Sequence, residues 1–324
     1  MLKFLLLVAL ITIASAKYTN CTFKNENYTD VCKSAVKSGV SYKYANQFLM
    51  SYFKTQKFDE VSWTYLQPSK IAHHNRQERK ANNVLVSYIP KMVANLKKYR
   101  AVYDYAEKKY GVNREIITAI LLKETKLGRI KPTHDAFIVF NTILTRTNPK
   151  TSREKWLHKM SKTNMAAIIE HCYKKGVKPE QCNLPSSYAG AVGIPQFMPN
   201  SFVYADSYKN KVADLNTMED AIMSVAKFLH KKADFDTLMD FSKIEDIAKT
   251  EEDWYEYAYR HDNASFVYEK SKSGKVYSCF TKNRPELKYL KSYVKKIMRY
   301  NNSSNYAIGV IRLAYEAHRG LEEE

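Results

Sequence analysis

Apolar residues recur at three- and four-residue spacing through most of the chain, the period of a helix with one buried face. The spacing predicts helices near 29–54, 80–109, 113–127, 153–174, 217–232, 241–259, 284–299 and 304–318. Short apolar runs at Ala136 to Phe140, Ser265 to Tyr268 and Lys275 to Phe280 read instead as small strands. The expected fold class is therefore mainly α with small β elements. No internal repeat and no low-complexity linker divides the pattern, which predicts one compact body with subdomains. Backbone punctuation is concentrated in one place. Between Gly176 and Asn200 lie three of the nine glycines and four of the nine prolines. Loops held by a rigid scaffold are where function tends to sit; the alternative is a long structural connection stapled by a disulfide.

The extreme N-terminus breaks the amphipathic pattern. Lys3 is followed by an apolar run, Phe4 to Ile13, and then by Ala14-Ser15-Ala16. This is the layout of a secretory signal, with cleavage expected after Ala16. Tyr18-Thr19-Asn20 precedes Cys21, where a lipoprotein would carry a small residue, so the exported chain is expected to be soluble and without a stable membrane anchor. Export makes the five cysteines readable. Cys21 with Cys32 and Cys172 with Cys182 are the simplest local disulfides, leaving Cys279 over; five reduced cysteines are the alternative. The spacings match no metal finger, and no metal site or cofactor is expected.

Lys and Arg number 52 against 33 Asp and Glu, a net charge of +19. Such a chain suits an acidic partner: nucleic acid, anionic lipid or anionic cell wall. Export and the absence of any nucleic-acid motif argue against nucleic acid. A solvated Lys-rich surface explains the charge equally well.

Two segments carry candidate chemistry. In Gly111 to Gly128, Ile116, Ile120 and Glu124 follow one another at spacing four, so Glu124 sits on an apolar stripe. A desolvated Glu holds its proton to higher pH and can act as a general acid. A Glu paired with a basic side chain is the competing reading. In Ser187 to Ser201, Gly190 and Gly193 let backbone approach a ligand, Ser187 and Gln196 offer neutral hydrogen bonds, and Phe197 and Met198 offer apolar contact. That mixture suits a polar, uncharged ring such as a sugar, and a tight structural turn would use it too.

Glu124-Thr125 with Gly128-Arg129, then AGAVGIPQFMPNS some sixty residues on, then Tyr300-Asn301, Ser303 and Tyr306-Ala307, stand in one order. Together they resemble the membrane-bound lytic murein transglycosylase B family of peptidoglycan-cleaving enzymes. Tyr110-Gly111-Val112 also fits, and residues 29–68 resemble the family's N-terminal helical region more weakly. The resemblance implies a lysozyme-like catalytic core with extra N- and C-terminal helices. After the signal peptide over 1–16, it implies an N-terminal helical region over 17–85 and a catalytic region over 86–324 whose C-terminal helices complete the groove. Glu124 matches the catalytic acid/base. Ser187 and Gln196 match residues that position the substrate, and Met198 matches a groove residue. Tyr300, Asn301 and Tyr306 match the C-terminal part of the active site. Tyr188, Gly190 and Phe197 complete the expected substrate-binding set, with Tyr188, Tyr204, Tyr300 and Tyr306 as sugar platforms. The reaction implied is non-hydrolytic cleavage of the MurNAc-β-1,4-GlcNAc bond in the periplasm, leaving 1,6-anhydro-MurNAc ends. The implied partners are peptidoglycan glycan strands, with cell-wall synthesis or envelope-assembly proteins as further candidates, and the chain is expected to be a monomer active in murein turnover.

Some positions depart from the family pattern. Leu127 stands where an aromatic is common, and Gly128 to Asp135 is a few residues short. Asp206 to Asp220 lacks the alternating oxygen ligands and central Gly of a calcium loop, so no calcium site is expected. Asp135 could serve as the second carboxylate of a hydrolase, but a capping role is favoured. His73-His74 read as a surface loop rather than as metal ligands. A glycan-binding scaffold without turnover is the reading from another class, and it could tolerate loss of Glu124, Ser187, Gln196 and Asn301.

Overall fold

The computed structural model describes residues 21–55, 57–210, 212–260 and 285–323. The signal sequence, Cys279 and the two strands expected within 265–280 lie outside the described residues. In chain order the helices are α1 (Glu26–Lys37), α2 (Tyr42–Thr55), α3 (Glu60–Tyr65), α4 (Pro68–Val86), α5 (Ile89–Lys98), α6 (Arg100–Tyr110), α7 (Arg114–Thr125), α8 (Ala136–Arg146), α9 (Ser152–Lys174), α10 (Met218–Ala233), α11 (Ile247–Arg260), α12 (Pro285–Ile297) and α13 (Ser304–Glu322). Strands β1 (His134–Asp135) and β2 (Pro185–Ser186) pair antiparallel, His134 opposite Ser186. The chain is mainly α, as its periodicity predicts.

Helix ends follow local chemistry that the hydrophobic period does not register. The run 29–54 is two helices, because Gly39 adopts φ +99° and ends the first. The run 80–109 is three, with Pro90 in the first turn of α5 and a break at Tyr99. The expected helix 241–259 begins at Ile247, after a single 3₁₀ turn at Phe241–Lys243. Ala136 to Phe140 is helical, not a strand. Asp135 caps α8 by accepting the Ile138 N–H at 3.0 Å, and Phe137, Phe140, Ile143 and Leu144 then bury one face. His73 and His74 lie within α4, not in a loop.

The chain divides into two compact units. Among the described residues, one unit falls within 21–67, 132–192 and 196–203, and the other within 68–131, 193–195 and 204–323. In the first, α9 packs on α1 and α8, and α2 on α1. Its core gathers Val31, Phe48, Leu49, Phe137, Phe140, Met165 and Ile169. Disulfides Cys21–Cys32 and Cys172–Cys182 are both part of it. Each closes a short loop, and such links stabilise chiefly by restricting the unfolded chain.

In the second unit α13 is the central helix, packed against α4, α5, α7, α11 and α12. Helix α7 lies in its interior. Nine of its twelve residues are buried, from Glu115 to Leu122 without a break and again at Thr125. A helix apolar all round belongs inside a protein. The single stripe through Ile116 and Ile120 therefore understates how enclosed this helix is. Trp254 and Phe235 complete the same core, each with no exposed surface.

Candidate active site

Glu124 occupies the last turn of α7 and is half-buried. Helix α13 supplies its neighbour. Ser303 caps that helix, its hydroxyl accepting the Tyr306 N–H at 3.2 Å, which places Tyr306 in the first turn. The Tyr306 hydroxyl donates to Glu124 Oε1 at 2.7 Å. Burial disfavours the carboxylate and pushes Glu124 from 4.5 up to about 7. The Tyr306 bond and the Lys123 charge oppose that rise, and Glu78 adds to it. Near neutral pH this carboxyl therefore exists in both forms, the condition for donating and then recovering a proton.

After α7 the backbone turns sharply. Lys126, Leu127 and Gly128 all have positive φ, at 50°, 58° and 78°. Two non-glycine residues in succession in this region are costly, and the cost is offset by fixed bonds. The Lys126 and Leu127 N–H groups reach the carbonyls of Leu122 and Leu121. Thr125 accepts the Gly128 N–H at 3.0 Å and donates to the Ile194 carbonyl at 2.9 Å. Thr125 thus ties the segment Gly193 to Pro195 to the end of the acid-bearing helix. The Tyr300 hydroxyl donates to the Pro195 carbonyl, and its ring meets Phe228 edge-on at 4.9 Å. Burial and the Glu124 carboxylate raise the Tyr300 phenol above its ordinary range.

The expected site residues fall into two groups, one in each unit. The second unit holds Glu124, Tyr300, Asn301 and Tyr306. Asn301 is exposed, its carbonyl accepting the Ser303 N–H at 2.7 Å. The first unit holds Ser187, Tyr188, Gly190, Gln196, Phe197 and Met198. There Val192 bridges both Ser186 and Phe197. Ser187 shapes its own turn: its N–H donates to the Ala191 carbonyl at 2.9 Å and its Oγ accepts the Ala191 N–H at 3.3 Å. Gly190, φ +81°, packs so closely on Phe140 that a Cβ would lie 2.4 Å from that ring. Gln196 is half-buried with φ 52°. Phe197 is only 2% exposed and so presents almost no surface. Met198 packs on the first core. Tyr188 lies 5.1 Å from Tyr65, a ring the motif reading did not include.

Asp135 is in the first unit, occupied as the cap of α8 and by the Tyr52 hydroxyl. In the segment Asp206 to Asp220, the Asp220 carboxylate in the first turn of α10 gathers donors of the preceding loop, the Ser207 hydroxyl and the N–H groups of Tyr208 and Asp214, at 2.8–3.0 Å. Among the described residues, no group of three or more His, Cys, Asp or Glu could hold a metal ion.

The model of the transglycosylase SLT domain family matches residues 24–315. The chain belongs to this family. It is an enzyme of the lytic transglycosylase class, which acts on peptidoglycan. The transglycosylase is similar in fold to soluble lytic transglycosylase SltB1 from Pseudomonas aeruginosa, at 20% identity, covering 91% of this chain and 99% of that one, with a TM-score of 0.60. It is also similar to SltB3 from Pseudomonas aeruginosa, solved in complex with NAG-anhNAM-pentapeptide, at 15% identity, 89% and 77% coverage and a TM-score of 0.57. A third likeness is to Escherichia coli Slt35 in complex with calcium, at 15% identity, 92% and 95% coverage and a TM-score of 0.52. No curated protein matches the sequence. These likenesses make the fold lysozyme-like. Among the described residues of the transglycosylase, no helix is long and apolar enough to cross a membrane.

Three features of the Glu124 surroundings escaped the sequence. Thr125 is in the motif, but its part in holding Ile194 needs the fold. Lys123 occupies a polar gap in an apolar helix, the usual sign of a solvent-facing lysine. Glu78 belongs to a helix whose first half shows no sustained apolar repeat to predict it.

Proposed function

We propose that this transglycosylase cleaves the MurNAc-β-1,4-GlcNAc bond without water and leaves 1,6-anhydro-MurNAc ends. The observation that carries the reading is Glu124, a carboxyl whose burial holds its proton to about pH 7 and whose Oε1 is engaged by Tyr306. In the first step Glu124 gives its proton to the glycosidic oxygen as the bond to C1 breaks. The sugar passes through an oxocarbenium-like state, helped by its own N-acetyl group. In the second step the Glu124 carboxylate takes the proton of the muramic 6-hydroxyl, whose oxygen bonds to C1. The proton returns to where it began, and one carboxyl suffices where most glycosidases use two. Asn301 and Gln196 are assigned to orient the N-acetyl group or the hydroxyl. Ser187, Tyr188, Gly190, Met198 and Tyr300 are assigned to the glycan path, and the buried Phe197 to supporting that turn from behind. The SltB3 complex with an anhydro-muramyl ligand supports the product assignment.

The hydrolytic alternative would need Asp135 or another carboxylate to activate water, and Asp135 is already engaged as a helix cap. Mass spectrometry of muropeptides released from purified peptidoglycan separates the two. Products one water lighter than hydrolysed fragments are expected; reducing ends would return the chemistry to a muramidase. Activity is placed in the periplasm, after export directed by residues 1–16. The two disulfides support an oxidising compartment.

Tyr306→Phe tests the setting of the acid. The Tyr306 bond favours the carboxylate, so its loss raises Glu124 further. The first step needs the protonated form, so the alkaline limb of kcat/KM reports this group. That limb is expected to move up by about half to one pH unit in Tyr306→Phe. A limb left in place, or moved to lower pH, would show that Tyr306 does not set the acid.

A further inference from the structure

Behind Glu124 lies a buried charge network that the mechanism above does not use. The Lys123 side chain is 3% exposed, although it carries an ammonium. Burying such a group is costly unless it is paired and hydrogen-bonded. Here the pairing is complete. Lys123 Nζ donates to Glu78 Oε1 at 2.8 Å and to Asn82 Oδ1. The same nitrogen lies 4.8 Å from the centroid of the Tyr306 ring. Asn82 Nδ2 in turn donates to the Tyr255 hydroxyl and to the Asn305 carbonyl, the residue before Tyr306. Asn82 fits only because position 309 on α13 is glycine: a Cβ there would lie 2.3 Å from the amide. The Tyr255 hydroxyl donates to Glu251, which also accepts from Arg312. Three helices, α4, α11 and α13, thus contribute polar groups to one network at the end of α7.

We infer that Lys123 is a positioning residue for the reaction: held by Glu78 and Asn82 against the Tyr306 ring, it fixes the Tyr306 hydroxyl on Glu124 Oε1 and supplies the cation against which Glu124 is balanced. The inference rests on Glu124 being the acid of the reading above. Two parts of the geometry support it. A cation against the face of a phenol ring is itself attracted there and restrains the ring. With Oε1 committed to Tyr306, the proton Glu124 delivers is carried on Oε2. The charged and titratable groups of this network, among the described residues, include Glu78 and Arg79 from α4, Glu251 and Tyr255 from α11, Tyr306 and Arg312 from α13, and Tyr300. Glu251 is neutralised by Arg312, so Lys123 and Glu78 are the opposed pair that acts on Glu124.

Opposed charges make a test that a packing role cannot imitate. Lys123→Met removes the cation and leaves Glu78 uncompensated, so Glu124 should hold its proton to higher pH. Glu78→Gln removes the anion and leaves the cation, so Glu124 should release its proton at lower pH. The double variant should lie between the two. Each background is paired with its own Glu124→Gln partner. The infrared difference in the protonated-carboxyl stretch, followed against pH, then reads Glu124 directly and without turnover. The alkaline limb of kcat/KM is measured alongside, with thermal unfolding as the control for folding. Shifts of at least about half a pH unit in opposite directions are expected in both readouts. Lowered melting temperatures with an unmoved Glu124 titration in Glu78→Gln and in the double variant would reduce the network to packing and overturn the inference. If the infrared shifts appear but Glu124→Gln retains activity, the coupling stands and the assignment of Glu124 as the acid falls instead.

Discussion

Glu124→Gln lowers the rate of muropeptide release by roughly 10²–10⁴-fold, the scale of a lost general acid–base group. The proposed chemistry uses this carboxyl twice, first as donor and then as acceptor, and the amide can do neither. The substitution is nearly isosteric and keeps an acceptor for the Tyr306 hydroxyl, so the site should remain assembled. It also predicts a gain in stability with a defined pH window. The folded carboxyl keeps its proton to about pH 7, whereas its ordinary value is 4.5. Between those limits the native state binds more protons than the unfolded state. Wild-type stability therefore falls as pH rises through that window, and the loss is complete above it. The amide carries no such loss. By urea denaturation, Glu124→Gln should match the wild type near pH 4 and exceed it at pH 8 by up to about 3 kcal/mol. Equal midpoints at both pH values would mean that Glu124 is not desolvated. Retained activity would remove it from the chemistry.

Gly193→Ala is expected to cost roughly 2–5 kcal/mol of stability, combining left-handed backbone strain with overpacking. Gly193 has φ +75°, and a Cβ there would lie 2.5 Å from the Leu215 Cβ and 2.7 Å from the Leu215 carbonyl oxygen. Backbone cannot swing aside as a flexible side chain can. That carbonyl also accepts the Ile194 N–H at 2.8 Å, so relieving the clash breaks the bond that fixes the next residue. Ile194 and Pro195 are the residues gripped by Thr125 and Tyr300, so activity should fall with stability. Gly176→Ala is the control. Its φ is +68°, but a Cβ there meets nothing within 4 Å, so only the backbone strain remains, about 1 kcal/mol. Equal urea midpoints for the two variants would show that the close approach at Leu215 is not what position 193 requires.

The helical period was legible because burying one face of a helix leaves a repeat in the residues themselves. Its interruptions were less so. Asp135 converts an apolar run that looks like a strand into α8 by capping, and a five-residue run does not distinguish the two periods. Gly39 and Pro90 break long helices at single positions that an average over many residues passes through. Helix α3 and the first half of α4 were missed because neither shows a sustained apolar repeat.

The sequence by itself determined that the protein is mainly helical, that Glu124 lies against apolar neighbours, and that the ordered motifs around Glu124, Gly190 to Ser201 and Tyr300 to Tyr306 are those of a transglycosylase. Each of these is written in local spacing or in residues close along the chain. Only the tertiary structure decided how acidic Glu124 is, because its setting comes from afar. Tyr306 reaches it from α13, and Glu78 and Asn82 from α4 enclose Lys123 beside it. A lysine in an apolar helix looks destined for water until those partners are in place. Burial of its charge becomes tolerable only when the fold has gathered the groups that satisfy it.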